Sequence, residues 1–404
     1  MFLTQTWGLE KQGGWPPTSF MLNLMKSEPD VFGDQFAQFG FVPDPNDDLP
    51  VGFKRGSVDP TKATLNCSAC HVAKLPDGRV WIGAPNVNLA LGRFALEVNK
   101  RWMAAGNPSL IDAITTTKDG ELGPGRISAE QSETDPLIPD DMPAAYNMSK
   151  RKWLSKLGTT GDVRSEVYLS LFGFGVGYPD PQQALVPFPS DADLAPLVSF
   201  FGTWEPPTAP PGNATLIAQG KTVYESAQCD SCHHLDAPDQ QGVTTVDMAT
   251  DGKDRLPGVD PNYPRGSVHT SALQYADLQG VPLPGTDAGA PDGGGSTGGG
   301  PGLGNGFGPF LQFIAKHELN VGPSDGYAVP DLHALWASAP YLHNASVATL
   351  DDLLKPSSER ATTFAHDGFT IDTTLERNAN FGHEFGTTLS TSDRAALVAY
   401  LNSL

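Results

Sequence analysis

The residues best suited to chemistry are two short motifs in which a histidine directly follows a pair of cysteines. They occupy residues 67–71 (CSACH) and 229–233 (CDSCH), and they contain all four cysteines of the chain. In such a CxxCH motif the two thiols add to the vinyl groups of a porphyrin and the histidine binds the iron. The spacing therefore predicts two covalently bound c-type haems, numbered 1 and 2 in chain order.

Each motif supplies two attachment cysteines and one iron ligand. These residues are Cys67, Cys70 and His71 for haem 1, and Cys229, Cys232 and His233 for haem 2. A zinc half-site and a thioredoxin-like redox pair use similar cysteine spacings. Zinc needs further thiolate or imidazole ligands nearby, and the redox pair does not need the trailing histidine. Two complete motifs in an otherwise cysteine-free chain favour haem.

The ligand on the opposite face of each iron decides whether a haem transfers electrons or binds peroxide or oxygen. Downstream of the second motif the only methionine is Met248, close to the motif, so no late methionine is available to haem 2. The candidates are His343, His366 and His383. We favour His383, because the glycines at 382 and 386 let the backbone approach the haem closely. His343 is a second candidate ligand or a side chain that supports one.

Haem 1 has fewer candidate partners. No histidine occurs between His71 and His233, and the downstream methionines at suitable distances are Met142 and Met148. Haem 1 is therefore bound by one of these methionines, bound by a residue of the second half, or open on one face. We favour the open site, since a buried methionine most often serves packing. His71 is then the proximal ligand of the catalytic haem.

The overall charge limits the classes of partner. The 404 residues carry a formal net charge of −20, which excludes nucleic acid because binding phosphate backbones needs a basic surface. The acidic surface is either simply solvated or attracts a small cationic redox protein over long range. No apolar run is long enough to span a bilayer, so we predict a soluble protein.

Haem attachment to these motifs takes place outside the cytoplasm, so a periplasmic or secreted protein is expected. The first residues (MFLTQTWGLEKQGG) lack the apolar segment of a signal peptide. We expect either a mature form or a true start further upstream.

The distance between the motifs predicts two tandem cytochrome c domains. A proline-rich stretch at 204–212 follows an apolar segment with helical character at 194–201, and proline cannot continue a helix. The boundary is placed there, with an N-terminal domain for haem 1 at 1–206 and a C-terminal domain for haem 2 at 207–404. Residues 284–308 are glycine-rich and predict a flexible surface loop.

Helices are predicted on both sides of the second motif. Asn213 is suited to cap a helix that runs to Tyr224, directly before the motif. Ser390 is suited to cap a final helix with apolar residues at helical spacing through Leu404. Such helices pack against each other in a cytochrome c fold. The predicted class is mainly α, with long loops and little β structure.

In the first half, the prolines at 16 and 17 predict the start of a helix that runs through Met25. Residues 87–103 show apolar residues at helical spacing. We expect a second helix there.

Four segments resemble the bacterial dihaem cytochrome c peroxidase superfamily, which includes MauG. They are residues 340–350 (PYLHNASVATL), 49–53 (LPVGF), 83–85 (GAP) and 382–386 (GHEFG). Within that superfamily the chain looks most like the branch that contains rubber oxygenase. The similarity covers both halves and is weakest over residues 110–200 and in the glycine-rich loop.

The resemblance implies a mostly helical fold of two cytochrome c domains whose haems face a shared interface. In the rubber-oxygenase branch the N-terminal haem binds oxygen and the C-terminal haem is held by two histidines. That corresponds here to an open haem 1 on His71 and a haem 2 held by His233 and His383. In the peroxidases the C-terminal haem relays electrons and often has a methionine ligand, which the late region of this chain lacks.

Two functions from different classes are compatible with these residues. In the first, the protein is an enzyme whose haem 1 activates peroxide or dioxygen while haem 2 stores or delivers electrons. Peroxide reduction is the first reaction expected, followed by oxidative cleavage of an apolar substrate. In the second, both haems are six-coordinate and the protein is an electron carrier that docks a small redox protein. We favour the enzyme; the fold alone does not decide between them.

Overall fold

The computed structural model describes both cysteine motifs and the segments that surround them. The described residues are 16–56, 59–109, 122–130, 138–154, 160–173, 188–237, 243–244, 313–321, 327–375 and 378–404. The predicted glycine-rich loop at 284–308 and Met248 lie outside these residues.

Helices are the main regular elements of the described residues. The α-helices are α1 (Thr18–Ser27), α2 (Pro29–Phe32), α3 (Ser68–His71), α4 (Leu91–Ala104), α5 (Val163–Gly173), α6 (Asp191–Gly202), α7 (Ala214–Ser226), α8 (Leu350–Leu353) and α9 (Thr391–Leu401). Short 3₁₀ helices occupy Asp34–Phe39, Met148–Lys150, Cys229–Ser231, Leu335–Ala337 and Ser357–Glu359. The mainly helical class predicted from the sequence is confirmed. No helix in this part of the chain has both the length and the apolar character needed to cross a membrane.

The strands of the described residues are short and pair two by two, always antiparallel. The pairs are β1 (Phe53–Arg55) with β2 (Ala63–Leu65), β3 (Val72–Lys74) with β4 (Val80–Ile82), β5 (Arg126–Glu130) with β6 (Ile138–Asp141), β7 (Val243–Thr244) with β8 (Tyr327–Ala328), and β9 (Thr363–His366) with β10 (Phe369–Asp372). Within the described stretches none of these pairs joins another, so the strands fix local turns and form no extended layer.

The two helices predicted around the second motif are confirmed with their caps. The side chain of Asn213 accepts hydrogen bonds from the first turn of α7, and that of Ser390 accepts one from the first turn of α9. The final helix ends at Leu401 rather than Leu404, because the chain tightens into a turn in which Ser403 bonds to the carbonyl three residues before it.

Both helices predicted in the first half are present, and the second of them starts later than predicted. α1 begins directly after Pro17, as predicted. α4 begins at Leu91 rather than at residue 87. The reason is that the side-chain amide of Asn86 donates to the carbonyls of Gly40 and Ala69, which ties the preceding backbone to the first motif.

α7 and α9 cross at close range beside the second motif. A Cβ on Gly220 would lie 1.9 Å from the carbonyl oxygen of Ala396, so the crossing requires glycine at that position. The rings of Tyr224 and Tyr400 pack edge to face at 5.5 Å on the same contact. This crossing is the packing that the sequence predicted for the second half.

Apolar side chains of the described residues gather in four clusters, two of which join the first and second halves of the chain. One surrounds the first motif with phenylalanines, and another lies between α7 and α9. A third includes Trp204 from the first half together with Phe313 and Ile314. The fourth packs residues after the first motif against the 3₁₀ helix at Leu335–Ala337. Contacts therefore cross the boundary placed at residue 206, and the division into two domains stays a prediction.

Candidate haem sites

The first motif is held in place by two glycine-containing segments that already stood out in the sequence. Gly52, from residues 49–53, has φ +95°, and a Cβ there would lie 2.4 Å from the Cα of Ala69. Gly83, from residues 83–85, has φ +90° and donates its N–H to the carbonyl of His71 over 2.7 Å. The close approach at Gly52 and the positive φ of both residues favour glycine, and the contacts fix the backbone of the motif on both sides.

The ionisable groups of the first motif are kept neutral. Burial lowers the pKa of His71 to about 4, and the adjacent backbone of Pro143 only partly opposes this. Burial also raises the pKa of the Cys67 thiol to about 11 and that of the Cys70 thiol to about 12. A neutral imidazole with two thiols in one helical turn is a donor set that fits a covalently attached haem.

The two methionine candidates for haem 1 pack in different apolar clusters. Met142 is 2% exposed and lies in the phenylalanine cluster, which Cys70 also contacts. Met148 is 6% exposed and lies in the cluster of Trp204, which Cys67 contacts. Both side chains therefore have a packing role, and the open face of haem 1 stays a prediction.

The second motif lies in a 3₁₀ turn directly after α7. The hydroxyl of Tyr224 donates to the carbonyl of His233 over 2.5 Å. The ring Nδ1 of His233 lies 3.3 Å from the carbonyl oxygen of Pro330. Because a carbonyl only accepts, we infer that Nδ1 carries the proton and that Nε2 keeps its lone pair for iron. Burial lowers the pKa of His233, which also favours the neutral ring.

The two motifs differ in exposure. Ser68 and Ala69, between the cysteines of the first motif, are buried. Asp230 and Ser231, at the same positions of the second motif, are exposed, and so is Cys232. The second attachment site therefore lies nearer the surface than the first.

His383, the favoured sixth ligand of haem 2, interacts electrostatically with His233. Burial is the main cause that lowers the pKa of His383 to about 4, and the interactions with His233 and Arg360 contribute to the same value. Its Nδ1 is buried and has no hydrogen-bond partner within the described part of the chain. Its backbone is left-handed, with φ +52°, between Gly382 at +97° and Gly386 at +73°. Two neighbouring neutral imidazoles fit the two faces of a haem iron.

The other two candidate histidines contact the first half of the chain. The backbone carbonyl of His343 accepts a hydrogen bond from the N–H of Asp141 over 2.7 Å. The ring Nε2 of His366 lies 2.7 Å from the carbonyl oxygen of Val87. The ring of His366 is thus used in a contact between the two halves, whereas the ring of His383 interacts electrostatically with His233.

A polar cluster ties the backbone next to Pro330 to the first half. Asp331 accepts a hydrogen bond from the side chain of Asn147 over 2.8 Å and pairs with the ring of His333 at 2.5 Å. Burial raises the pKa of Asp331, but the hydrogen bonds of His333 outweigh it and bring the value to about 2. The same pairing raises the pKa of His333.

Two buried arginines near these contacts were not found by the sequence analysis. Arg126 is 1% exposed and donates to the carbonyl of Asn344 and, over 2.8 Å, to the side chain of Asn378. Arg360 is 5% exposed and lies among backbone carbonyls. Their burial results from chain segments that meet only in the fold. The one available signal was the position of Arg360 shortly after the 340–350 segment.

Residues 326–365 match the family model described as RoxA-like, cytochrome c-like. This stretch includes Pro330, which bonds to the ring of His233, and it includes Arg360. The match supports haem c as the cofactor and a redox function for the chain.

Three further proteins are similar to this chain. An uncharacterized protein of Sinorhizobium fredii is 36% identical in an alignment of 105 residues, and the match covers 19% of this chain and 18% of the relative. A solved structure of hydrazine synthase from Kuenenia stuttgartiensis has a TM-score of 0.35 and 14% identity, over 68% of this chain and 75% of that one. A MauG-like protein associated with microbial copper homeostasis has a TM-score of 0.33 and 17% identity, over 78% and 87%.

Proposed function

We propose that this chain is a dihaem c-type cytochrome oxidoreductase in which haem 1 activates peroxide or dioxygen and haem 2 transfers electrons. When bound, haem supplies one-electron chemistry at iron and, where one face is open, a place for peroxide or dioxygen. The residues proposed to hold the two groups are Cys67, Cys70 and His71 for haem 1, and Cys229, Cys232, His233 and His383 for haem 2.

The observation that carries the proposal is the half-buried ring of His383, whose Nδ1 has no hydrogen-bond partner within the described part of the chain and which interacts electrostatically with His233. Two imidazoles at one haem would suit electron transfer, because the iron would keep the same ligands in both oxidation states. The carbonyl of Pro330 orients the ring of His233, and burial keeps both rings unprotonated. The exposed second motif gives a redox partner access to this site.

The surroundings of the first motif support the activation of peroxide or dioxygen rather than electron transfer. The motif is packed beneath Gly52 and Gly83, and the two methionines nearby contribute to apolar clusters. The apolar clusters around the motif would exclude water from a haem held there and limit what reaches its iron. His71, kept neutral by burial, is the proximal ligand in this proposal.

Electrons can pass between the sites through packed protein. β3 follows His71 directly and pairs with β4, which carries Trp81. Residues of this hairpin pack with Ala334 and Ala337 in one apolar cluster, and Trp336 packs against the same cluster. That segment follows Pro330, whose carbonyl contacts His233. The cluster thus links the backbone beside one iron ligand to the backbone beside the other.

The proposal also covers the branch of the superfamily, the substrate, the location and the redox partner. The 340–350 segment and the matched residues 326–365 support a place near the rubber-oxygenase branch. Peroxide is the first substrate to test, and an apolar compound cleaved with dioxygen is the second. The protein works in the periplasm or outside the cell, with a small redox protein as electron donor or acceptor.

Electron paramagnetic resonance of the oxidised protein at cryogenic temperature tests the proposal, with haem content measured on the same sample. We expect two haems per chain, one high-spin and one low-spin with two imidazole ligands. A single haem, or two low-spin haems, would contradict the proposed division of roles.

The alternative is an electron carrier in which both haems are six-coordinate. Its specific support is that Met142 and Met148 lie in clusters that the cysteines of the first motif also contact. The variants Met142→Leu and Met148→Leu separate the two functions. If one methionine binds haem 1, its replacement converts a low-spin signal to a high-spin one. If haem 1 is open, both variants keep the spectrum of the unchanged protein.

A further inference from the structure

Arg360 is a buried cation whose hydrogen bonds all go to the protein backbone. It is 5% exposed, and a guanidinium has five N–H donors in a rigid plane. Those donors reach five carbonyl oxygens, of Lys355 (3.1 Å), Asn380 (2.5 Å), Gly382 (2.8 Å), Leu353 (3.1 Å) and His383 (3.2 Å).

The five carbonyls belong to two separate stretches of chain. Leu353 and Lys355 lie at the end of α8 and just beyond it, while the other three lie in the loop that carries His383. Buried carbonyls without a donor are unfavourable, so the guanidinium satisfies both stretches together. Arg360 therefore fastens the His383 loop to the end of α8.

The contacts fall on the backbone that sets the direction of the His383 side chain. The carbonyls of Gly382 and His383 belong to the two peptide units on either side of the Cα of His383. That residue has φ +52°, a left-handed conformation that a residue with a Cβ adopts only when its surroundings hold it there. Arg360 bonds to both peptide units and so stabilises this conformation.

We propose that Arg360 is the positioning residue that holds His383 against the iron of haem 2. The proposal rests on the proposed function, in which His383 is the sixth ligand. The guanidinium stays protonated at physiological pH, and its charge acts on the ring of His383. A buried positive charge beside the site also disfavours the ferric state, so it raises the reduction potential of haem 2.

Two substitutions separate the bonds of Arg360 from its charge. Arg360→Lys keeps the charge but offers at most three donors, and Arg360→Met removes both. Arg394→Gln is the matched control, because Arg394 bonds the carboxylate of Asp351 in the same half of the chain. His383→Gly, with and without external imidazole, tests the ligand assignment itself.

The readouts are the low-spin resonance of haem 2, its reduction potential, and the rate of the slow phase of carbon monoxide binding to the reduced protein. That phase reports how often His383 leaves the iron. For Arg360→Met we expect a rate increase of roughly tenfold or more, a lower potential and part of haem 2 in the high-spin form. Arg360→Lys should show the rate increase with little change in potential. Arg394→Gln should match the unchanged protein.

The outcomes distinguish the assignment of His383 as a ligand from the positioning role of Arg360. If His383→Gly leaves the low-spin signal intact, His383 is not the ligand, and the ligand assignment and the role of Arg360 both fall. If His383→Gly loses the signal and imidazole restores it, the ligand assignment stands. Unchanged rates and spectra in both Arg360 variants then overturn the positioning role alone. If Arg360→Met fails to incorporate haem, the carbon monoxide binding rate and the spectrum of Arg360→Lys decide whether Arg360 positions His383.

Discussion

At the scale of single residues, burial and backbone carbonyls decide which histidine nitrogens are available. Burial lowers the pKa values of His71 and His383 to about 4, so both rings are neutral at any physiological pH. The Pro330 carbonyl orients the ring of His233. His333 shows the opposite effect, because the carboxylate of Asp331 raises its pKa.

The Asp331–His333 pair predicts a pH-dependent contribution to stability. The pKa of Asp331 is lowered to about 2. The contribution of Asp331 to stability is therefore fully present above its pKa in the unfolded chain, near 4, and is lost as the pH falls through 2. The pKa of His333 is raised. The contribution of His333 to stability is therefore fully present below its pKa in the unfolded chain, near 6.5, and is lost as the pH rises through its pKa in the folded protein.

We therefore expect His333→Gln to lower the free energy of unfolding by about 1 kcal/mol between roughly pH 4 and pH 6.5. The difference from the unchanged protein should shrink at higher pH. Denaturant titrations of both proteins across this range measure it. A difference that stays constant up to about pH 9 would show that the pair is not ionic.

At the scale of elements, glycines set how closely backbones approach each haem motif. Gly220 lets α7 cross α9, and Gly52 lets the chain pack on α3. In both places the nearest atom is a backbone atom, which cannot swing aside as a side chain can. These contacts position the two motifs.

Replacing Gly220 with alanine should force α7 and α9 apart. The new Cβ would meet the carbonyl of Ala396, and such overpacking costs about 2 kcal/mol or more. The midpoint of denaturant unfolding of the haem-loaded protein measures the loss. Gly202→Ala, whose nearest atom would be the Cβ of Ser149 at 3.7 Å, should change it little. Equal midpoints for the two variants would refute the close crossing.

Gly52→Ala should reduce attachment of haem 1. The added Cβ would collide with Ala69 inside the first motif, while the strain of a positive φ adds about 1 kcal/mol. Gly78→Ala is a matched control, because Gly78 also has a positive φ, +88°, yet no atom lies within 4 Å of the added Cβ. Haem content per chain, measured by mass spectrometry, should fall for Gly52→Ala only. The same haem content in both variants argues against the contact.

At the scale of the whole molecule, contacts between the first and second halves of the chain come from polar groups as well as apolar clusters. Arg126 bonds to Asn344 and Asn378, His366 bonds to Val87, and Asp331 bonds to Asn147. The segments that carry the proposed haem 2 site are thereby fixed against the first half.

Arg126→Met should weaken that contact strongly. Removing one partner of a buried, charged hydrogen-bond group leaves the others unsatisfied and costs about 3 kcal/mol. Arg79, which lies over the rings of Trp81 and Trp336, is 41% exposed, so Arg79→Met should cost about 1 kcal/mol at most. Urea unfolding compares the two. A similar loss for both would mean that Arg126 does not hold the halves together.

The sequence predicted what local chemistry encodes. The caps at Asn213 and Ser390 and the glycine-flanked His383 were visible because each signal lies within a few residues. The later start of α4 was not, because the side chain of Asn86 bonds to Gly40 and Ala69. Arg360 was also missed, since its role appears only when α8 and the His383 loop come together.

The unequal burial of the two motifs also bears on how the protein is made. In the folded first half, burial raises the pKa of the Cys67 and Cys70 thiols to about 11 and 12, and Gly52 packs against the motif. Protonated thiols react poorly, and Cys67 and Cys70 are half-buried, whereas Cys232 is exposed. We therefore expect the proposed haem 1 to be attached before the first half closes. A chain that folds too early should then carry only the proposed haem 2.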